Sequence, residues 1–182
     1  MTRRFVLDAS AAIALLRDEP EGVAMEQALA NGKRAGASFV VPDGFWFEIV
    51  NVLIRRHRWP APAVMRAIHD LDTFDLVSVP SDRPLLLMTL DLAERHGLTA
   101  YDAAYLATAI SADASLLTLD RDLAIAAGDR AVPLGGGHRL HETPAPYEHE
   151  VTWPSYPGAG AFLAGLRAQA LAGRGSTTDR DV

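Results

Sequence analysis

The chain has 182 residues, 49% of them hydrophobic and 22% charged, which is ordinary for a globular protein that buries a sizeable core. Its 17 lysines and arginines against 23 aspartates and glutamates give a net charge of −6, so binding to nucleic acid needs a local basic surface. The absence of cysteine excludes disulfides, thiolate metal sites and cysteine nucleophiles, and it is compatible with a cytoplasmic location. The start of the chain lacks the apolar segment of a signal peptide, and no apolar run is long enough to predict a membrane-spanning helix.

Short apolar runs alternate with helical patterns along the first three quarters of the chain. The runs predict strands at 4–8, 37–41, 75–79 and 115–119, with a last short strand at 131–134. The apolar spacing predicts helices around 13–16, at 23–32, at 44–58, at 62–71, from a cap at Ser81 through about His96, and at 100–111. The segment 44–58 is apolar on almost every side, which is typical of a helix inside a protein or at an interface.

This order of elements predicts an α/β fold with a mostly parallel central sheet flanked by helices. In such sheets, functional sites lie beyond the carboxyl ends of the strands. Asp8 and Asp120 each stand at the end of a predicted strand, so we expect both at that edge of the sheet.

The composition changes at residues 135–137, which are all glycine. The stretch that follows is rich in proline and histidine, and this is typical of an irregular segment. We therefore predict a folded domain at 1–134 and an irregular C-terminal extension at 135–182, with one helical pattern at 158–172 and a disordered end.

Four carboxylates are candidates for a functional site, and three of them have a simple structural explanation. Asp8 follows a strand and is placed to cap the next helix, as is Ser10. Asp102 lies three residues after Thr99, which is the spacing of a capping box. Asp120 follows a strand, where aspartate commonly forms a turn.

The fourth acid, Glu48, lies within the apolar segment 44–58, where burial of an unpaired carboxylate is costly. Its structural explanation is an ion pair with Arg55 or a hydrogen bond from Asn51. A fifth acid, Asp122, is either an additional ligand or a solvated side chain, and we favour the solvated one.

The four acids together point to a bound cation. Two carboxylates about 4 Å apart repel by about 4 kcal/mol at an effective dielectric constant of about 20, so four such charges need a cation to share a pocket. Oxygen ligands without thiolates favour Mg²⁺ or Mn²⁺ over zinc. Because these ions activate water and stabilise charge on phosphate, phosphodiester hydrolysis is the natural reaction of such a site.

Segments 5–11, 98–107 and 117–123, with Glu48 in a looser motif, resemble the PIN-domain family, and most closely the VapC ribonuclease toxins of VapBC toxin–antitoxin pairs. The resemblance covers about residues 3–134 and does not extend to the C-terminal extension. It implies a PIN-like nuclease domain, a divalent-metal site and cleavage of RNA by a metal-activated water. Carried over position by position, it assigns catalysis and metal binding to Asp8, Glu48, Asp102 and Asp120.

The resemblance also implies supporting residues. Ser10 and Thr118 match positions that hydrogen-bond to the metal ligands and orient them. Asp122 falls where some family members have a further acid. We expect the three aspartates of the site to hold Mg²⁺ or Mn²⁺, and the glutamate to bind through water or to join a second ion.

An RNA substrate needs a basic surface on this acidic protein. The candidates follow Glu48 by one to two helical turns or stand beside Asp120, and they are Arg55, Arg56, Arg58 and Arg121. The alternative is that these arginines pair with the aspartates between 70 and 75 or are solvated at a helix end.

The resemblance implies two partners, the RNA substrate and a cognate antitoxin that lies across the site. The apolar segment 45–54 suits an antitoxin groove or a homodimer face, and it suits plain core as well. The same acids also allow other functions, namely a metal-dependent phosphatase or a DNA nuclease. A further alternative is a catalytically inactive PIN-like binding module.

Overall fold

The computed structural model describes residues 3–134, and at its centre is a sheet of four strands. The strands are β1 at Arg4–Leu7, β2 at Ser38–Pro42, β3 at Val77–Val79 and β4 at Ser115–Leu117. They lie in the order β3–β2–β1–β4, and every neighbouring pair is parallel.

Helices connect these parallel strands, as parallel pairing requires. Within residues 3–134 they are α1 at Ala9–Leu16, α2 at Pro20–Arg34, α3 at Gly44–Asn51, α4 at Ala61–Asp72, α5 at Arg83–His96, α6 at Ala100–Ser111 and α7 at Arg121–Ala127. The predicted fold class, an α/β fold with a parallel sheet flanked by helices, is therefore confirmed.

Strand β1 lies at the centre of the core. Its Val6 pairs in register with Val40 of β2 and with Leu116 of β4, and all three side chains are buried. Just beyond the strand, the Asp8 amide donates to the Leu117 carbonyl oxygen at 3.0 Å. The backbone of the first candidate acid is thus fixed to the end of β4.

Helices α1 and α2 pack closely because small residues face each other. The α1 side of the contact is rich in buried alanine. On α2, a Cβ atom at Gly22 would lie 2.5 Å from the Ala14 carbonyl oxygen, so no larger residue fits without a shift. The glycine therefore fixes the approach of α2 to α1, the helix that begins directly after Asp8.

Helix α5 has specific signals at both ends. Asp82 rather than Ser81 caps its start, since Asp82 Oδ1 accepts from the Leu85 amide at 2.9 Å. The prediction of Ser81 was wrong by one residue because the adjacent carboxylate takes the capping role. Gly97, with φ of 65°, ends the helix in the left-handed region, as predicted.

The predicted helix at 44–58 is divided in the structure. Helix α3 ends at Asn51 and continues as a π-helical turn at Val52–Arg56. Arg58 then adopts φ of 57°, in the left-handed region that few residues other than glycine adopt. An apolar pattern cannot reveal the wider π turn, because the segment is apolar on almost all sides.

The end of the described region also differs from the prediction. Residues 131–134 do not form a strand, since Ala131 makes only an isolated bridge to Leu116 after a 3-10 turn at Gly128–Arg130. Helix α7 was not predicted. The predictions for the C-terminal extension lie outside the described residues, and the domain boundary at 134 stays a prediction.

The helices can also be judged against the thickness of a membrane. In the part of the chain that the structure describes, no helix is long and apolar enough to cross one.

Candidate active site

The fold brings the four candidate acids to the carboxyl-end side of the sheet. Asp8 directly follows β1, and Asp120 follows β4 at the start of α7. Asp102 lies in the first turn of α6, and Glu48 lies in α3, the helix that follows β2. Residues that are far apart in the sequence thus meet at the edge where sites form in parallel sheets.

Asp8 is the most buried of these acids, with 3% of its surface exposed. Asp8 occupies the N-cap position of α1, but its side chain caps no backbone amide there, so capping does not account for its carboxylate. Instead, the Ser10 and Thr118 hydroxyls both donate to Asp8 Oδ2, the latter at 2.7 Å. Oδ1 accepts from no side chain of residues 3–134, which leaves it for a ligand.

The same two hydroxyls accept hydrogen bonds from the backbone. The Leu119 amide donates to Ser10 Oγ at 3.1 Å, and the Asp120 amide donates to Thr118 Oγ1 at 2.9 Å. An amide that donates to a hydroxyl oxygen occupies one of its lone pairs, and the hydroxyl's own proton then points to the carboxylate. Both hydroxyls are therefore oriented as donors to Asp8. The segment after β4 therefore orients Asp8.

Asp102 has the capping role that its position suggested, whereas Asp120 caps α7, where only a turn was predicted. Thr99 Oγ1 accepts from the Asp102 amide at 3.2 Å and donates to Asp102 Oδ2 at 2.7 Å, a reciprocal cap of α6. Asp120 Oδ1 accepts from the Leu123 amide at 2.7 Å and caps α7. Each cap holds its carboxylate in place at the start of a helix.

Glu48 has a partner that the sequence did not predict. The Tyr105 hydroxyl donates to Glu48 Oε2 at 2.7 Å, so the expected partners Arg55 and Asn51 were wrong. Tyr105 lies three residues after Asp102 on α6, a spacing that places both on one face of the helix. The spacing places Tyr105 on the side of α6 that carries Asp102, but it does not identify Glu48 as the partner.

The acids lie within electrostatic range of one another. The pKa of Asp8 is raised from 3.8 to about 6, mainly by burial and also by Asp102 and Asp120, against the lowering effect of the Ser10 and Thr118 hydroxyls. Burial likewise raises the pKa of Glu48 from 4.5 to about 7, with contributions from Asp8 and Asp102. Burial, Asp120 and the exposed Asp122 raise the pKa of Asp102. The site therefore carries negative charge that its own surroundings do not compensate.

Four ion pairs between described residues involve none of these carboxylates. They join Arg17 to Glu19, Lys33 to Asp75, Arg95 to Asp91 and Arg130 to Asp113. No group of three or more histidine, aspartate or glutamate side chains in residues 3–134 is already arranged to hold a metal ion. The donor chemistry fits a hard divalent cation all the same, because the donors are carboxylate oxygens with uncompensated charge.

A sequence model of one known family covers most of the described region. The family described as PIN domain matches residues 5–129. The chain belongs to the PIN domain family. The resemblance noted from the sequence motifs is thereby confirmed. Ribonuclease VapC3 of Pyrobaculum aerophilum is 32% identical over 125 residues, which are 66% of this chain and 92% of that relative.

Solved structures share the PIN fold with this chain. VapC20 of Mycobacterium tuberculosis, described as a sarcin–ricin loop cleaving toxin, has a TM-score of 0.58 at 15% identity, over 71% of this chain and 99% of the other. A toxin–antitoxin complex from Klebsiella pneumoniae has a TM-score of 0.54 at 21% identity, over 71% and 96% of the two chains. At sequence identities this low, the similarity shows a shared fold and nothing more.

An apolar groove lies beside Glu48 on the surface of this PIN domain. It has a volume of about 320 Å³ and is lined by α3, α5 and α6, with Phe45, Leu86 and Tyr101 among its residues. Of the segment 45–54, Phe45, Ile49 and Leu53 are core residues, whereas Phe47 is 80% exposed. The apolar segment thus supplies both the core and an exposed surface.

The predicted RNA-binding arginines lie on two segments of the PIN domain. Arg55 and Arg56 end the π-helical turn, Arg58 follows it, and Arg121 is the first residue of α7; all four are exposed. Burial lowers the pKa of His57, and Arg17 and Arg56 lower it further while Glu19 opposes them, so both arginines lie within electrostatic range of this histidine. Asp75, one proposed partner of these arginines, instead pairs with Lys33.

Proposed function

We propose that this chain is a divalent-metal-dependent endoribonuclease and the toxin component of a type II toxin–antitoxin pair. The observation that carries the proposal is the buried Asp8, which two hydroxyls orient and whose pKa is raised by burial and, to a smaller extent, by Asp102 and Asp120. A binding module gains nothing from buried like charges, whereas a metal-dependent hydrolase uses them. The relation to ribonuclease VapC3 supports RNA as the substrate.

Asp8, Asp102 and Asp120 are the residues that would hold Mg²⁺ or Mn²⁺, with Glu48 acting through water or at a second ion. When bound, the ion supplies an acidified water and stabilises negative charge on the phosphate. The chain's own contribution is orientation. The Ser10 and Thr118 hydroxyls orient Asp8 by donating to its Oδ2. The Thr99 hydroxyl orients Asp102 by donating to Asp102 Oδ2.

Binding of the RNA backbone is proposed for Arg55, Arg56, Arg58 and Arg121. Arginine binds phosphate through charge and paired N–H donors, and it offsets the repulsion between the acidic site and the substrate. Arg121 is adjacent to Asp120, so this phosphate contact would lie next to the reacting group. The other three would bind phosphates further along the strand.

We propose the antitoxin as the occupant of the apolar groove beside Glu48. The shared fold with a chain from a toxin–antitoxin complex supports such a partner. The lining is mostly apolar with Glu48 in it, which favours an antitoxin segment that carries apolar side chains and a cation. Co-expression with the neighbouring gene's product tests this. Failure to form a complex, or a homodimer that covers the groove, would contradict the antitoxin assignment.

Cleavage assays with the full chain test the enzymatic proposal. We expect cleavage of RNA in Mg²⁺ or Mn²⁺, loss of cleavage in EDTA, and loss of cleavage in Asp8→Asn. Cleavage of DNA alone, or phosphate release from small phosphoesters alone, would favour the other hydrolase functions. No hydrolysis together with no Mn²⁺ binding in calorimetry would favour the inactive binding module.

A further inference from the structure

The hydroxyl of Tyr105, a core side chain, makes a hydrogen bond that packing of the ring does not require. Tyr105 is 1% exposed, and its ring lies among the buried residues of α6. A phenylalanine would fill the same volume, so packing alone does not need the hydroxyl. The hydroxyl nevertheless donates to Glu48 Oε2 at 2.7 Å, on a different element.

The buried Thr108, one turn further on α6, provides a comparison. Its hydroxyl donates to the Ala104 carbonyl oxygen at 2.7 Å, within its own helix. Such local bonds satisfy the hydroxyl and position nothing else. Tyr105 differs because its bond joins α6 to α3 and terminates on a candidate acid.

The bond restricts the flexible side chain of Glu48. A glutamate side chain has three rotatable torsions, and ordering them costs conformational entropy. Tyr105 holds one carboxylate oxygen, Oε2, and leaves Oε1 for another partner. Burial raises the pKa of the phenol and Asp8 raises it further, which places the phenol within electrostatic range of Asp8. The tyrosine thus connects the surroundings of two acids.

We infer that Tyr105 is a positioning residue that orients Glu48 toward the cation proposed for this site. This inference rests on the proposed function in one respect, the identity of Glu48 as a site acid. A tyrosine phenol, whose ordinary pKa is about 10, is protonated at neutral pH, so the hydroxyl is a hydrogen-bond donor to the carboxylate.

The test is Tyr105→Phe in the full chain, which removes the hydroxyl and keeps the ring. The matched control is Thr108→Val, which removes a buried hydroxyl that bonds only within α6. Calorimetric titration with Mn²⁺ alone measures affinity without any cleavage. We expect Tyr105→Phe to weaken Mn²⁺ binding about 10-fold or more and the control to leave it unchanged.

Cleavage kinetics and a double-variant cycle separate positioning from simple packing. We expect the kcat of Tyr105→Phe on RNA, at a Mn²⁺ level below saturation, to fall about 10-fold or more with little change in KM. In a Glu48→Gln background, Tyr105→Phe should add no further loss of Mn²⁺ affinity or kcat. If Tyr105→Phe reduces Mn²⁺ affinity and kcat by the same factor in the wild type and in Glu48→Gln, the inference is wrong.

Two further outcomes are decisive. If Tyr105→Phe binds Mn²⁺ as well as Thr108→Val does, the inference is wrong, even if the wild type cleaves RNA. If the wild type binds Mn²⁺ but cleaves no RNA, the proposed function fails and the titration still decides the role of Tyr105. Should Tyr105→Phe not fold, Glu48→Asp shortens the acid away from the intact phenol and must reproduce the loss of affinity.

Discussion

Thr118 Oγ1 lies 2.7 Å from Asp8 Oδ2, and through this one hydroxyl the segment after β4 orients the acid after β1. The hydroxyl also accepts from the Asp120 amide at 2.9 Å. A single oxygen therefore fixes the position of both the Asp8 side chain and the Asp120 backbone. Disturbing it should affect the two acids together.

Replacing Thr118 by valine should reduce RNA cleavage about 10- to 100-fold, because the shape is kept and the hydroxyl is lost. Stability should fall by about 1 kcal/mol, the usual net value of a hydrogen bond. Thr108→Val is the matched control, since its buried hydroxyl bonds only within α6. We expect a similar change in the free energy of unfolding from the control and no change in cleavage. Equal cleavage by both variants would contradict the role of Thr118.

Divalent cations should stabilise the wild type and not Asp8→Asn. A ligand that binds the native state raises the melting temperature to an extent that grows with its affinity. We expect thermal unfolding of the wild type at higher temperature in Mg²⁺ or Mn²⁺ than in EDTA, and no such difference in Asp8→Asn. The same rise in both proteins would place the cation elsewhere.

Without a cation, Asp8 should make the protein less stable as the pH rises. The pKa of this carboxyl is about 6 in the folded protein against an ordinary value of 3.8, so the native state holds a proton that the unfolded chain has lost. The stabilising effect of that proton is complete below about pH 4 and is lost as the pH rises through about 6. A shift of this size corresponds to about 3 kcal/mol at most.

Denaturant unfolding in EDTA of the wild type and Asp8→Asn measures this effect, because the variant lacks the titrating group. The difference in unfolding free energy between the two should change in favour of the variant between pH 4 and pH 7. A difference that stays constant over this range would show that Asp8 titrates normally.

Charge reversal at Arg55 and Arg58 should weaken RNA binding and lower its dependence on salt. For single-stranded nucleic acid, each phosphate that is no longer bound reduces the slope of log affinity against log salt by about 0.7. Arg34→Glu is the control, since Arg34 ends α2 near the amino end of β2, at the opposite edge of the sheet from the acids. Filter binding in the Asp8→Asn background measures affinity without cleavage. An unchanged slope after charge reversal would remove these arginines from the interface.

Gly22→Ala should destabilise the fold by about 1–3 kcal/mol through overpacking against Ala14. Gly44→Ala is its control, because a Cβ at Gly44 meets no atom within 4 Å and α3 gains a better helix former. Unfolding by urea should show a loss of stability for the first variant and none for the second. The reverse order would mean that α1 and α2 adjust freely.

The sequence predicted the sheet and the location of the acids because apolar runs and strand ends are local signals. Asp8 and Asp120 could be placed at one edge from the direction of parallel strands alone. The Thr99 cap of Asp102 was also visible, since both partners lie within one turn.

Long-range partners could not be predicted in this way. The bond from Tyr105 to Glu48 depends on how α6 packs against α3, and no pattern within either helix specifies it. The π-helical turn after Asn51 was hidden by a segment that is apolar on most sides. The cap of α5 was missed for a different reason, since Ser81 and Asp82 are adjacent and both are good caps.

The separation of Asp8 and Thr118 by 110 positions also governs when the site can exist during protein synthesis. A nascent chain that has not yet emerged past β4 lacks Asp120 and the Thr118 hydroxyl that orients Asp8. The site is then incomplete even if the first helices have already formed. On the proposed function, the ribosome that translates this protein is exposed to a complete ribonuclease only after the codons for β4 and Asp120 have been read. Premature termination before that point yields a fragment that lacks part of the proposed site.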